Sequence, residues 1–233
     1  MKTLTKYLMI SFLLISTTIF ADDSRAEPGS RKLTEEQKKE IEQKQKDCIT
    51  SSKKNHQNLP PYIDSQLPPL VFDHNTHSIV GLSVLGDRLI IEDGSEWKIK
   101  PEDIQEVSYW KETHPIMIVM NDSFFSSYFQ GYRYKMVNAK TNTAIEVKLH
   151  LGPILQNQYT LQVAAINPHT CEVIFTDNTL WQCNPSEYYL LDKWLVGDAI
   201  IVGTNSTGWF NNTYDYMLIN VNLLQEIKAN RVE

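Results

Sequence analysis

This 233-residue sequence predicts a mainly β fold, with two tandem small β-barrels or rolled sheets of SH3-like or OB-like size. Three observations predict it: an internal repeat, a hairpin signature present in each copy, and strands too short and too few to protect their edges except by closing up. An offset of 84 relates Asp93 to Asp177, Trp97 to Trp181, Pro101 to Pro185, Trp110 to Trp194, Ile116 to Ile200 and Asn121 to Asn205. After a shortening of two residues, an offset of 82 relates Tyr132 to Tyr214, Tyr134 to Tyr216, Asn138 to Asn220 and Ile145 to Ile227. The shortening falls between Asn121 and Tyr132, where a surface loop tolerates a length change that paired strands do not. The copies span residues 75–150 and 159–233, joined across a Gly152-Pro153 break. A pair of small sandwiches is the rival architecture.

The chain opens with Lys2 and Lys6 and then an apolar run from Leu8 to Phe20, broken only by Ser and Thr and closed by Ala21. That is the pattern of a secretory signal peptide over residues 1–21, and the run is shorter than the roughly 20 residues that span a bilayer. Cleavage after Ala21 is expected, with Ile19 departing from the small-residue pattern at the third position back; Ser24-Arg25-Ala26 fits that pattern but follows two aspartates, which makes Ala26 the alternative. The expected compartment is therefore the periplasm or the exterior, with no transmembrane span left after cleavage.

Residues 22–58 form a polar arm. Thr34 and Gln37 have capping-box spacing, which predicts a helix over 34–48, but Leu33, Ile41, Cys48 and Ile49 are too few apolar residues for a core-facing stripe. A solvated helix is expected. Residues 59–74 carry Pro60-Pro61 and Pro68-Pro69 and read as a linker or strap. With 42% hydrophobic residues the chain has enough apolar matter for a core, while a net charge of −6 without a basic patch removes the counterion-release term behind nucleic-acid binding.

Within the first copy, Arg88 to Glu92 and Glu96 to Lys100 flank an Asp93-Gly94-Ser95 turn. Counting those three residues as the loop sets Ile91 opposite Trp97 and Leu89 opposite Ile99, with the charged residues facing out. The same register in the second copy sets Phe175 opposite Trp181 and Val173 opposite Cys183. A proline then opens a short helix in each, Pro101 to Val107 and Pro185 to Leu191. Ile116 to Met120 and Ile200 to Val202 read as buried strands. Further strands are expected at Tyr132 to Asn138, Thr143 to Leu149, Tyr214 to Asn220 and Gln225 to Val232, with opening strands at Ile79 to Leu82 and Val163 to Ile166.

The recurring hairpin, Asp93-Gly94-Ser95-x-Trp97 with Asp177-Asn178-Thr179-x-Trp181 as its partner, and the later Trp194-Leu195-Val196-Gly197-Asp198 resemble segments of uncharacterised exported bacterial proteins with tandem small β modules. The resemblance covers residues 75–233 and implies the fold without implying an activity. The first copy departs from the second motif, with Thr113-His114 in place of Gly197-Asp198.

Residues present in both copies are most simply fold requirements, so the shared tryptophans read as core and Asp93 and Asp177 as turn formers. What differs between the copies is where function is expected. Six aromatics crowd residues 124–134, and the candidate ligand-binding set is Phe124, Phe125, Tyr128, Phe129 and Tyr132 with Trp209, Phe210 and Tyr214 from the second copy. The expected partner is a protein or a glycan.

No catalytic motif ties Ser, His and acid together, and no cofactor is expected. An enzyme is the less favoured reading. Its form is a hydrolase of cell-wall or carbohydrate material using Glu112, His114, Asp192 and Asp198 at a cleft between the modules. His74 and His77 have a ligand-like spacing but no Cys or Glu beside them to complete a metal site. Cys171 and Cys183 share one side of the second hairpin and are the candidate disulfide. The register above sets them diagonally at ~7–8 Å, which strains that bond.

Overall fold

The computed structural model describes residues 24–31, 39, 75–112, 114–206 and 213–232. The leader, the 34–48 helix apart from Lys39, the 59–74 linker, and Trp209 and Phe210 lie outside the described residues. The first copy contains β1 (Thr76–Leu82), β2 (Arg88–Ile91), β3 (Glu96–Ile99), a 3-10 turn (Pro101–Asp103) running into α1 (Ile104–Val107), β4 (Pro115–Met120), a π-helical turn (Phe125–Phe129), β5 (Tyr134–Asn138) and β6 (Thr143–Leu151). The second repeats the plan: β7 (Leu161–Asn167), β8 (Glu172–Phe175), β9 (Leu180–Cys183), a 3-10 turn (Pro185–Glu187), α2 (Tyr188–Leu191), β10 (Ala199–Thr204), β11 (Tyr216–Asn220) and β12 (Gln225–Val232). The strands join in the order β1-β2-β3-β6-β5-β4 and β7-β8-β9-β12-β11-β10. Each set closes into an antiparallel barrel, so the paired-sandwich alternative does not hold.

The hairpins correct the expected register. Ile91 N–H donates to Ser95 O, and Leu89 pairs with Trp97, so the loop is Glu92-Asp93-Gly94. In the second copy Val173, not Phe175, pairs with Trp181. A three-residue hairpin loop wants its left-handed residue last, and Gly94 (φ 82°) and Asn178 (φ 64°) supply it. Asp93 Oδ1 accepts from Ser95 N at 2.7 Å and Asp177 Oδ1 from Thr179 N at 3.0 Å, which braces the turn. The pairing moves by two residues, so every side chain keeps its face: Leu89, Ile91, Trp97 and Ile99 are all buried.

The same change carries Cys171 from the diagonal to a place directly across from Cys183, whose N–H donates to Cys171 O at 2.8 Å. Both are free, buried thiols in this structure. Burial pushes the Cys183 thiol up to about 12, as suits a small apolar core group.

Each barrel is organised round its tryptophan. Trp97 Nε1–H donates to Ser95 Oγ at 2.9 Å and Trp181 Nε1–H to Thr179 Oγ1 at 2.7 Å. Their rings meet Tyr134 and Tyr216 edge-on, with centroids 5.5 and 5.0 Å apart.

The two barrels share a wall. In β10 the residues Ala199 to Gly203 are all buried. Ile200 and Val202 point into their own barrel with Leu218, while Ala199 and Ile201, with Met217, Ile219 and Val221, join the core of the first barrel. A Cβ on Gly203 would lie 2.7 Å from Ile118 O, so glycine sets how closely β10 approaches β4. Residues 24–31, expected to belong to a solvated arm, instead lie in this seam. Ala26 N–H donates to Pro153 O and Gly29 N–H to Val221 O, and Arg31 donates to the Asp198 carboxylate at 2.5 Å. Gly152 makes room for the strap, since a Cβ there would sit 2.0 Å from Ala26 O.

Across the seam His77 Nδ1–H donates to Glu92 Oε1 at 2.6 Å and Nε2–H to Val202 O at 2.8 Å. A carboxylate and a carbonyl both accept, so the buried ring holds two protons and is a cation. Burial opposes that charge, but the Glu92 carboxylate outweighs it and raises His77 to about 9 from 6.5. Asp93 is raised to about 6 by burial and by the Glu92 charge.

Both shifts are upward, so the stabilisation each group contributes is complete below its ordinary value and is lost as pH rises through about 6 for Asp93 and about 9 for His77. Urea midpoints are therefore expected to fall steadily between about pH 5 and pH 10. His77→Gln removes one partner of a buried ion pair and should cost roughly 3–5 kcal/mol at low pH, with a flatter decline above about pH 6.5. An unchanged slope in the variant would show that His77 is not the titrating group.

Candidate functional site

The loop between β4 and β5 begins and ends at a staple. Asn121 Nδ2–H donates to Tyr132 O at 2.7 Å, and its Oδ1 accepts from Ser123 N at 2.9 Å. The second barrel uses the same device, with Asn205 Nδ2–H donating to Tyr214 O at 2.8 Å. This explains why both asparagines recur. Inside the staple, Ser127 N–H donates to Ser123 O and Tyr132 N–H to Ser126 O. The chain winds as a single π-helical turn, a form found mostly as isolated turns.

One side of the turn is tied to the barrel. Ser126 is buried, and its hydroxyl donates to Glu146 Oε2 at 2.5 Å. Lys100 Nζ donates to Ser126 Oγ at 2.8 Å and to Glu146 at 2.6 Å. Burial works against the Glu146 carboxylate, yet Lys100 and Ser126 hold its pKa below the ordinary value. The other side carries Phe124, Phe125, Tyr128 and Phe129, which are 71, 63, 74 and 65% exposed.

These four rings cover one another without reaching the core. Phe124 stacks on Tyr128 with centroids 5.5 Å apart, Phe125 lies 5.6 Å from Phe129, and Tyr128 meets Phe129 edge-on at 5.1 Å. The result is one apolar surface on a turn with a fixed, hydrogen-bonded base. Soluble proteins rarely leave such a patch open without a use for it.

The other residues of the expected set divide. Tyr132 is buried, because its backbone closes the staple and its ring lies under Lys148, whose Nζ is 4.9 Å from the ring centre. It supports the turn from below and is not part of the exposed surface. Tyr214 is half-buried at the equivalent staple, and Trp209 and Phe210 lie outside the described residues.

Three of the four residues of the cleft reading are engaged in fold contacts. Asp198 accepts from Arg31, from Asn220 Nδ2 at 2.7 Å and from Leu195 N at 2.9 Å. His114 Nδ1 holds the same place in the first barrel, facing Asn138 Nδ2 at 2.9 Å. Asp192 ends α2 beside Tyr188, and Glu112 is exposed. Among the described residues no cluster of three or more His, Cys, Asp or Glu side chains is arranged to hold a metal ion, and no helix is long and apolar enough to cross a membrane.

A second exposed apolar region was not anticipated. Val80, Val84 and Leu85 at the β1–β2 hairpin are 57, 104 and 82% exposed, beside a groove of about 450 Å³ lined by Ile79, Gly81, Leu82, Trp110, Lys111 and Glu112. The run of apolar residues at 80, 82, 84 and 85 was its only signal in the sequence.

Fold and site together define a tandem-barrel protein with an exposed aromatic turn. No protein-family model matches the chain, and no curated protein or solved structure matches it at a significant level.

Glu146→Ala would take the carboxylate from Lys100 Nζ and from the Ser126 hydroxyl, leaving Lys100 on Ser126 Oγ and Ser126 on the longer contact to Gln130 Oε1 at 3.2 Å. It should cost about 1–3 kcal/mol and speed amide exchange at Tyr132, whose N–H closes the turn, more than at Ile118 on β4. Equal acceleration at both amides would mean that the triad supports the whole barrel and not the turn.

Proposed function

We propose that this chain is an exported, noncatalytic binding protein whose contact surface is the aromatic turn of the first barrel. The observation that carries the reading is the exposure of Phe124, Phe125, Tyr128 and Phe129 on a base fixed by Lys100, Glu146 and Ser126. Four rings that contribute nothing to the core, on a turn held by buried polar contacts, support contact with another molecule, a protein or a glycan.

Export rests on the leader-like start, with cleavage after Ala21. The seated strap supports that position over Ala26, because a cut after Ala26 would remove the Arg25 donor to Gly94 O and the Ala26 donor to Pro153 O. The hydrolytic reading at an inter-module cleft gains nothing from the geometry, since Asp198 and His114 are equivalent fasteners in separate barrels.

Replacing all four aromatics by serine should move the thermal midpoint by no more than about 2 °C, as for other surface changes. For binding, a photoreactive phenylalanine at Tyr128 should give a cross-linked adduct in the producing cell, whereas the same probe at Tyr189, exposed on the second barrel, should not. Equal labelling at the two positions, or none at Tyr128, would remove the turn from consideration.

A further inference from the structure

Strand pairing gathers charges that the chain keeps apart. On the outer face of the first barrel Arg88 of β2 lies opposite Lys98 of β3, and Lys98 lies opposite Lys148 of β6. Three cations thus form one row across three strands, at the ~4.8 Å step between neighbouring strands. All three are half-buried and reach solvent, while their neighbours Leu89, Trp97 and Val147 face the core. No run of basic residues announces the row in the sequence.

Like charges directly opposite one another destabilise a sheet. The fold does not require that cost, because the second barrel avoids it. At the same three places it has Glu172, Gln182 and Asn230, paired in the same register. That row is hydrogen-bonded within its own barrel: Gln182 Nε2–H donates to Thr170 O at 2.7 Å, Asn230 Nδ2–H to Thr213 O at 2.7 Å, and Glu172 accepts from Thr170 Oγ1 at 2.5 Å. In the first barrel the flanking acids are engaged elsewhere. Glu146 accepts from Lys100 and Ser126, Asp87 accepts from Ser83 Oγ at 2.7 Å, and Glu96 lies between Arg25 and Arg88 at 3.8 and 3.6 Å. Among the described residues no ion pair joins Lys98 or Lys148 to an acid.

The row meets the aromatic turn. Lys148 Nζ lies over the ring of Tyr132, which supports the turn, and Glu146, two residues away on the same face of β6, holds Ser126 at its base. One continuous surface therefore carries apolar rings at one end and unneutralised cations at the other.

We propose that this surface takes an acidic polypeptide segment of a partner protein, whose carboxylates meet Lys98 and Lys148 while its apolar side chains cover the rings. This names the partner of the contact surface proposed above, and it rests on that reading. Charge complementarity selects an anion. The turn then selects among anions. Phe124, Phe125 and Phe129 have no polar side-chain atom and pack against one another, so they suit apolar side chains and offer nothing to the hydroxyls of an acidic sugar. A bilayer resting on the exposed rings would stand off the half-buried lysines, whereas a segment can follow the surface from one to the other. Three cations on a chain of net charge −6 are too few for the phosphate contacts of a nucleic acid.

The test titrates the 15N-labelled protein at low salt with acetyl-Glu-Phe-Asp-Glu-Leu-Asp-Phe-amide, followed by NMR. Saturable shifts are expected at Lys98, Lys148 and residues 124–129, and they should weaken as salt is raised. Lys98→Gln with Lys148→Asn gives the first barrel the second barrel's own residues. The thermal midpoint should stay within about 2 °C, and binding should weaken about fivefold. Lys111→Gln with Lys140→Gln removes the same charge from exposed positions off the row and should leave binding unchanged.

Three results would overturn the proposal: no saturable shift below about 5 mM peptide, equal binding by the same peptide with Gln and Asn in place of its acids, or equal weakening in the two double variants. Tighter binding of polygalacturonate or of phosphatidylglycerol vesicles at Lys98 and Lys148 would make the partner a glycan or a membrane, which also overturns it. The cross-link at Tyr128 separates this claim from the one beneath it. If it persists undiminished in the Lys98→Gln/Lys148→Asn variant, the turn remains the contact surface and the row is no part of it. If Tyr128 gives no adduct in the unaltered chain, both fall.

Discussion

The structure depends on one wall that has no solvent side. β10 and β11 give alternate residues to two cores: Ile200, Val202 and Leu218 to their own barrel, Ile201, Met217 and Ile219 to the neighbouring one. A small barrel alone exposes much of its outer surface and has a limited core. Burying the outside of this wall lets the first barrel and the 24–31 strap add to the stability of the second. Polar groups complete the seam, and they carry a condition. The His77 cation must find both Glu92 and the Val202 carbonyl, and Arg31 must find Asp198, because buried charges left unpaired are costly. The seam is thus selective about how the barrels meet as well as apolar.

Duplication separates scaffold from variation at the level of single atoms. Trp97 and Trp181 donate to a hydroxyl two residues earlier, Asp93 and Asp177 brace the same turn, and Asn121 and Asn205 staple the same loop. Such residues recur because each barrel must solve the same local problem of satisfying buried polar groups. The copies differ where no such problem exists: in the aromatic turn and in the apolar hairpin at residues 80–85. The aromatic turn and the apolar hairpin both lie on the first barrel. The second, whose β10–β11 wall is buried, acts as its foundation.

Much of the fold was legible in the sequence, because alternation, turn residues and the 84-residue offset are local or periodic signals. The hairpin register was not, because Asp-Gly-Ser does not itself show where the loop begins: the left-handed Gly94 belongs at the third loop position, so the loop starts at Glu92. The candidate site was legible in part. Crowded aromatics marked the 124–134 loop, but composition cannot tell Phe124, which faces solvent, from Tyr132, whose backbone closes the staple and whose ring is covered. The seat of residues 24–31 in the seam was not legible at all, since Ala26 and Gly29 are held there by Pro153 and Val221, far along the chain.

The sequence by itself determined the repeat, the two small β modules and the inward face of each strand, because a period-two pattern and a duplicated turn carry that information within a few residues. Only the tertiary structure decided that the outside of β10 is a second core, that residues 24–31 are a strap, and that Phe124, Phe125, Tyr128 and Phe129 stay outside the core of the first barrel. Those outcomes depend on contacts between residues far apart in the chain, where neither spacing nor composition records which segment covers which.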